Sequence, residues 1–203
     1  MGIRGFGSIF GEQQSGDIAN VGIDLYFEMF FESLSKVGQH RLMPVPYEDV
    51  ELDVDVTSRL PYKYIDELGD PERIIEEAEA AAQKDLWTLM QFTEKLRFQY
   101  GKEPPSMELL LKKIYVKRIA ADLGISQILK SRKTIAMRTQ MTKEAFKLFL
   151  EAMSPDSFCS SLTFEDNYIK AQLLLDLPNE RLLHWLFDCL ADMHNCLPAF
   201  VKY

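Results

Sequence analysis

Four groups of residues carry side chains able to do chemistry. His184, Asp188 and Asp192 recur every four residues near the end of the chain, with Cys189, His194 and Cys196 beside them. Imidazole, carboxylate and thiolate are zinc ligands, but a zinc site needs three or four of them converging in one geometry. A single helix face supplies no second cluster, so no metal site is expected. Glu76, Glu77 and Glu79 are neighbouring carboxylates. Acid–base work needs such a group buried in a cleft, and an exposed helix accounts for these. Lys112, Lys113, Lys117 and Arg118 form a basic stripe. It reads as a solvated helix face, with an acidic partner or a nucleic-acid backbone as the functional alternative. The fourth group is a loop, Arg4-Gly5-Phe6-Gly7 followed by Gly11-Glu12-Gln13-Gln14-Ser15-Gly16. Its glycines open backbone conformations closed to other residues. Arg4 and Gln14 are the long hydrogen-bonding side chains that such a loop can aim.

Several chemistries have no foothold. The patterns GxxxxGKS/T, GxSxG and HExxH do not occur in the sequence, so it holds no phosphate cradle, nucleophile elbow or zinc-protease helix. Glycines 5, 7 and 11 lack the preceding strand that a dinucleotide loop requires. No catalytic residue and no cofactor are expected for this chain. The 203 residues are 47% hydrophobic and 27% charged, with thirteen Phe and eight Tyr, enough to build a core. The net charge of -8 argues against strong duplex binding by this chain alone. Three cysteines without a CxxC pair fit a reducing, intracellular setting better than a disulfide framework. No apolar run reaches the roughly 18 residues of a membrane span.

The elements that must hold these residues can be read in order. Residues 1–16 form a loop. Asp17 or Ser15 caps a helix whose stripe is Ile18, Val21, Gly22, Leu25 and Met29, and Gly38 stops it. Pro44 and Pro46 mark a linker. Val50, Leu52, Val54 and Val56 alternate with Glu51, Asp53 and Asp55, a strand with one acidic face. Asp70-Pro71 opens a helix to about Ala82, a second runs from Asp85 to Tyr100, and a third runs from Pro104-Pro105 until Gly124 closes it. Beyond them come a strand over 134–140, a helix capped by Thr142, a hairpin turning at Asp166-Asn167, and a final helix from Asn179. Its inward side is Leu182, Leu183, Leu186, Phe187 and Leu190. The fold class is α+β: a helical block, then a small antiparallel sheet covered by helices.

Arg4-Gly-Phe-Gly, Gly11-Glu-Gln-Gln14-Ser-Gly16 and Val21-Gly-Ile-Asp-Leu-Tyr26 together resemble the segment after the second helicase lobe of the transcription-repair coupling factor (Mfd) family. The RecG helicase shares the first two pieces. Further matches follow in register: Leu60-Pro-Tyr-Lys-Tyr-Ile65, Tyr100-Gly-Lys-Glu-Pro-Pro105, and the segment from Ala120 to Ile125. The family's Asp-Arg-aromatic-Gly is here Phe98-Gln99-Tyr100-Gly101, so a charged pair is missing from that turn. The resemblance implies a truncated translocation motif over 1–38, a linker and strand over 39–59, and a C-terminal α+β regulatory domain over 60–203.

On the same resemblance, Arg4, Gly5, Gly7, Gly11, Gln14, Ser15 and Gly16 form the coupling loop that turns closure of the motor lobes into movement on DNA. ATP and Mg²⁺ belong to those motor lobes. They are absent here along with the first hairpin helix, so the chain is expected to be part of a longer protein and no enzyme by itself. The parent family is an ATP-dependent DNA helicase and translocase of transcription-coupled DNA repair. Its partners are its own motor domains, DNA indirectly, RNA polymerase and the excision-repair protein UvrA, whose recruiting surface the C-terminal domain covers in autoinhibition. No membrane contact is implied. The aromatic-rich divergence points to a plant, plastid-type version, hence the chloroplast; otherwise the cytoplasm or nucleoid is expected. The alternative reading is an independent, non-enzymatic module in which residues 60–203 bind a protein partner.

Overall fold

The computed structural model describes residues 41–54, 71–152, 161–195 and 201–202. The coupling loop, the helix expected over 17–36 and the Leu60–Ile65 element lie outside them.

Helices α1 (Pro71–Lys84), α2 (Leu86–Tyr100) and α3 (Pro105–Asp122) form the helical block. Asp85 separates the first two. Its carboxylate accepts the Thr88 N–H at 2.7 Å, so the residue that ends α1 caps α2. Gly101, at φ +80°, ends α2, and Pro105 occupies the first turn of α3, where its missing N–H costs nothing. Gly124 follows α3 at φ +76°, and a Cβ there would stand 2.6 Å from the Met43 carbonyl oxygen. Only glycine allows both that backbone and that approach. The approach lets the Val45 N–H reach the Ala121 carbonyl at 2.9 Å, tying residues 43–45 across the end of α3.

Strands β1 (Arg41–Leu42) and β7 (Val201–Lys202) make a two-stranded parallel pair. The main sheet contains β2 (Glu51–Leu52), β3 (Ile125–Ser131), β4 (Thr134–Thr139), β5 (Thr163–Glu165) and β6 (Tyr168–Gln172), in the order β2-β3-β4-β6-β5. Neighbours are antiparallel except β2, which joins β3 in parallel. The sheet is therefore mixed, which corrects the expected antiparallel one. A parallel partner taken from a segment 70-odd residues upstream leaves no turn signal between the strands. Of the strand expected over Val50–Val56, the described residues 50–54 are regular at Glu51–Leu52, with Val50 and Val54 buried and Glu51 and Asp53 exposed, as the alternation requires.

One face of the sheet is buried through Ile128, Ile135, Met137, Ile169 and Ala171; Leu129, Arg138 and Gln172 open to the other side. The β5–β6 turn places Asp166 and Asn167 at φ 51° and 66°, the left-handed pair of a tight hairpin. Helix α4 (Lys143–Ala152) is capped by Thr142, whose Oγ1 accepts the Ala145 N–H at 3.1 Å. It buries Phe146 and Phe149, and the Phe146 ring lies 5.5 Å from that of Phe164. Helix α5 (Asn179–Asn195) sets Leu182, Leu183, Leu186, Phe187 and Leu190 into the core and packs along α3. Tyr47, Val50 and Val54 enter that same core. The architecture is α+β, with α3 at its centre.

Candidate functional site

The basic stripe on α3 is not a solvated face, contrary to its reading from the sequence. Buried positions run round the whole circumference of this helix, and Lys112 and Arg118 are among them. A cation taken out of water must bring its partners with it. Arg118 donates through Nη1 to the Ala82 carbonyl at 2.9 Å and through Nη2 to Asp122 one turn on. Beside it the Tyr47 hydroxyl donates to Glu79, and the Lys117 ammonium sits 4.5 Å above the Tyr47 ring. Burial, reinforced by the Glu79 carboxylate, holds the Tyr47 phenol far above its ordinary range, so it stays a neutral donor. These contacts lock residues 43–54 onto α1 and α3.

A second buried pair braces the α2–α3 turn. Arg97 forks onto Glu103 at 2.8 and 2.6 Å, and the Thr93 and Tyr115 hydroxyls meet at 2.8 Å below it. This is the turn where the coupling-factor pattern carries Asp-Arg and this chain does not. Phe98, from the substituted stretch, is 93% exposed, and the ion pair of this turn comes from Arg97 instead.

The seam between α3 and α5 gathers the titratable groups. Lys112 Nζ lies 3.2 Å from Glu108, 2.9 Å from His184 Nδ1 and 5.1 Å above the Phe187 ring. An ammonium only donates, so Nδ1 accepts and the imidazole is neutral. Burial first, then the Lys112 charge, lowers the His184 pKa. Burial raises the Asp188 carboxyl, with Asp192 adding to it. The pairing of Lys112 with His184 joins residues 72 apart. The sequence signal that α3 is buried was its run of leucines on more than one face, Leu109, Leu110 and Leu111.

The remaining candidates divide. Glu76 and Glu77 are exposed, with Arg73 3.1 Å from Glu77, while Glu79 turns inward to Tyr47. Cys189 and His194 are buried in the core, and Cys196 lies outside the described residues. Among the described residues no three His, Cys, Asp or Glu side chains converge as metal ligands. Nor is any helix there long and apolar enough to cross a membrane. Among the described residues the buried charged side chains Arg97, Lys112 and Arg118 are each paired with a carboxylate, from Glu103, Glu108 and Asp122.

The described residues thus form an α+β domain whose buried charges are internally paired. No protein-family model matches the chain. It is 58% identical over all 203 residues to a chloroplastic ATP-dependent DNA helicase of Arabidopsis thaliana, which covers 100% of this chain and 25% of that protein. It is 29% identical over 130 residues to the transcription-repair-coupling factor of Buchnera aphidicola, 62% of this chain and 16% of that protein. With the factor of Staphylococcus haemolyticus the figures are 25% over 146 residues, 71% and 12%. A crystal structure of the C-terminal domain of a transcription-repair coupling factor superposes with a TM-score of 0.49 at 14% identity, over 73% of this chain and 93% of that one. By sequence the chain is a relative of the transcription-repair coupling factors, and over its whole length of the plant chloroplastic helicase. It spans a quarter of the length of that helicase and less than a fifth of the bacterial factors.

Proposed function

We propose that this chain is the regulatory and coupling segment of an ATP-dependent DNA translocase acting in transcription-coupled DNA repair. The observation that carries the reading is the 58% identity over all 203 residues with a chloroplastic DNA helicase, joined to the weaker matches with coupling factors. In this reading the motor domains of the whole protein bind ATP and Mg²⁺. Arg4 and Gln14, on a loop freed by Gly5, Gly7, Gly11 and Gly16 and flanked by Ser15, pass lobe closure to the DNA-engaging hairpin. RNA polymerase and a UvrA-like repair protein are the partners, and the chloroplast is the compartment. The buried pairs Arg97–Glu103, Lys112–Glu108 and Arg118–Asp122 suit a domain that must keep its shape while a motor moves beside it.

The test uses a full-length protein containing this segment. Arg4→Ala or Gln14→Ala should leave ATP hydrolysis largely intact and impair translocation, because in this reading both residues belong to the coupling loop and not to the nucleotide site of the motor. Loss of one charge-assisted contact removes about 1.5–3 kcal/mol, enough to uncouple a step without abolishing turnover. Triplex displacement and ATPase are measured on one preparation. If both fall together, or neither changes, the coupling role is wrong.

A further inference from the structure

The loop between β6 and α5 holds two adjacent leucines in solvent, Leu174 at 93% and Leu175 at 65% of full exposure. This loop is pinned on both sides of the pair. Leu173 is buried and its N–H donates to the Lys133 carbonyl at 2.6 Å. Lys130 reaches across from β3 to Asp176 Oδ1 at 2.6 Å and to the Leu177 carbonyl at 2.8 Å. The same contacts draw the β3–β4 turn alongside, with Arg132 and Lys133 exposed at its tip. Between turn and loop lies an open cavity of about 410 Å³, lined by Ser131, Arg132, Lys133, Thr134, Gln172 and Asp176. Asp176 is neutralised by Lys130, and among the described residues Arg132 and Lys133 form no ion pair. A chain of net charge -8 thus carries a positive corner beside two exposed aliphatic side chains.

We propose that this corner docks an acidic, aliphatic segment of another protein. Aliphatic side chains of that segment cover Leu174 and Leu175, and its carboxylates meet Arg132 and Lys133. Charge complementarity selects the partner: Arg132 and Lys133, adjacent and in no ion pair among the described residues, favour an acidic ligand at this corner. The pinned loop loses little freedom on binding, so the leucines are pre-organised anchors. Two cations are few for a nucleic-acid backbone, whose phosphates would leave the leucines uncovered. An anionic bilayer repels a chain of net charge -8.

The test is fluorescence anisotropy on the intact chain. The probes are a synthetic peptide of alternating glutamate and leucine, a glutamate–serine peptide and a lysine–leucine peptide. The glutamate–leucine peptide should bind at least about tenfold more tightly than either control. Binding should weaken with added salt. Leu174→Ser with Leu175→Ser, and separately Arg132→Glu with Lys133→Glu, should each weaken it by about tenfold or more while the circular dichroism spectrum stays unchanged. All four side chains are exposed, so the variants should fold. The proposal is overturned if the glutamate–leucine peptide does not bind, if a control binds as well, or if either double variant binds like the parent. Flotation with phosphatidylglycerol vesicles that depends on Leu174 and Leu175 would equally overturn it.

Discussion

Lys112 and His184 can keep their contact only while the imidazole is neutral, which makes the α3–α5 seam sensitive to pH. The groups facing His184 are Lys112 and Glu108 from α3 and Glu180 and Asp188 from α5. The folded-state pKa of His184 lies below its ordinary 6.5. As pH falls through that ordinary value the unfolded chain takes up a proton that the folded chain refuses, so stability is lost over the interval below it. Asp188 works the other way: its raised carboxyl takes a proton first in the folded state, so its effect falls in the carboxylate range, from its ordinary 3.8 upward. The two effects oppose each other, so a variant of His184 alone is needed to isolate its own. Urea unfolding followed from about pH 7.5 to about pH 5.5 should show stability falling, and His184→Gln, which can still accept from Lys112, should flatten that fall. An unchanged slope in the variant would show that His184 does not set it.

At the scale of elements, local punctuation was legible and long-range pairing was not. Asp85, Gly101, Gly124 and Thr142 end or cap helices where the chain says they should, and Asp166-Asn167 turns its hairpin. Each acts on backbone within a few residues of itself. Strand β3 left no clean trace. A register shift between Ile125 and Gln127 puts its buried isoleucines three apart, Ile125 and Ile128, and breaks the period of two on which strands are recognised. The same limit hid the burial of Lys112 and Arg118, whose partners His184 and Ala82 lie on other helices. The loop carrying Arg4 and Gln14 lies outside the described residues, so its geometry stays with the sequence argument. The segment 43–54 shows what long-range pairing contributes. Tyr47, Val50 and Val54 are each under 5% exposed, and β2 extends the sheet beyond β3. Three such side chains are worth roughly 1.5–3 kcal/mol apiece, comparable to the whole stability of many domains. Removing residues 1–40 should therefore leave a cooperative unfolding transition by circular dichroism, and removing residues 1–54 should lower its midpoint sharply or abolish it. Equal stability of the two truncated chains would mean the segment is only draped on the core.

At the scale of the molecule, the question is where catalytic power would reside. The sequence contains no GxxxxGKS/T, so no run of backbone N–H groups and no lysine is arranged to cradle a triphosphate. Among the described residues the buried cations are already occupied: Arg97 by Glu103, Arg118 by Asp122 and the Ala82 carbonyl, Lys112 by Glu108 and His184. Freeing any of them for a nucleotide would strand its partner in the interior, at a cost of about 3–5 kcal/mol for a buried pair. A related plant protein is described as an ATP-dependent helicase, but this chain corresponds to 25% of its length. We therefore expect the purified chain neither to bind nor to hydrolyse ATP, with or without DNA. Phosphate release should be followed beside a preparation carried through the same purification with Arg118→Ala, a change that disrupts a buried ion pair rather than any nucleotide contact. DNA-stimulated release that tracks the folded chain and is absent from a mock preparation would place a nucleotide site within these 203 residues, and the division of labour proposed above would have to be redrawn.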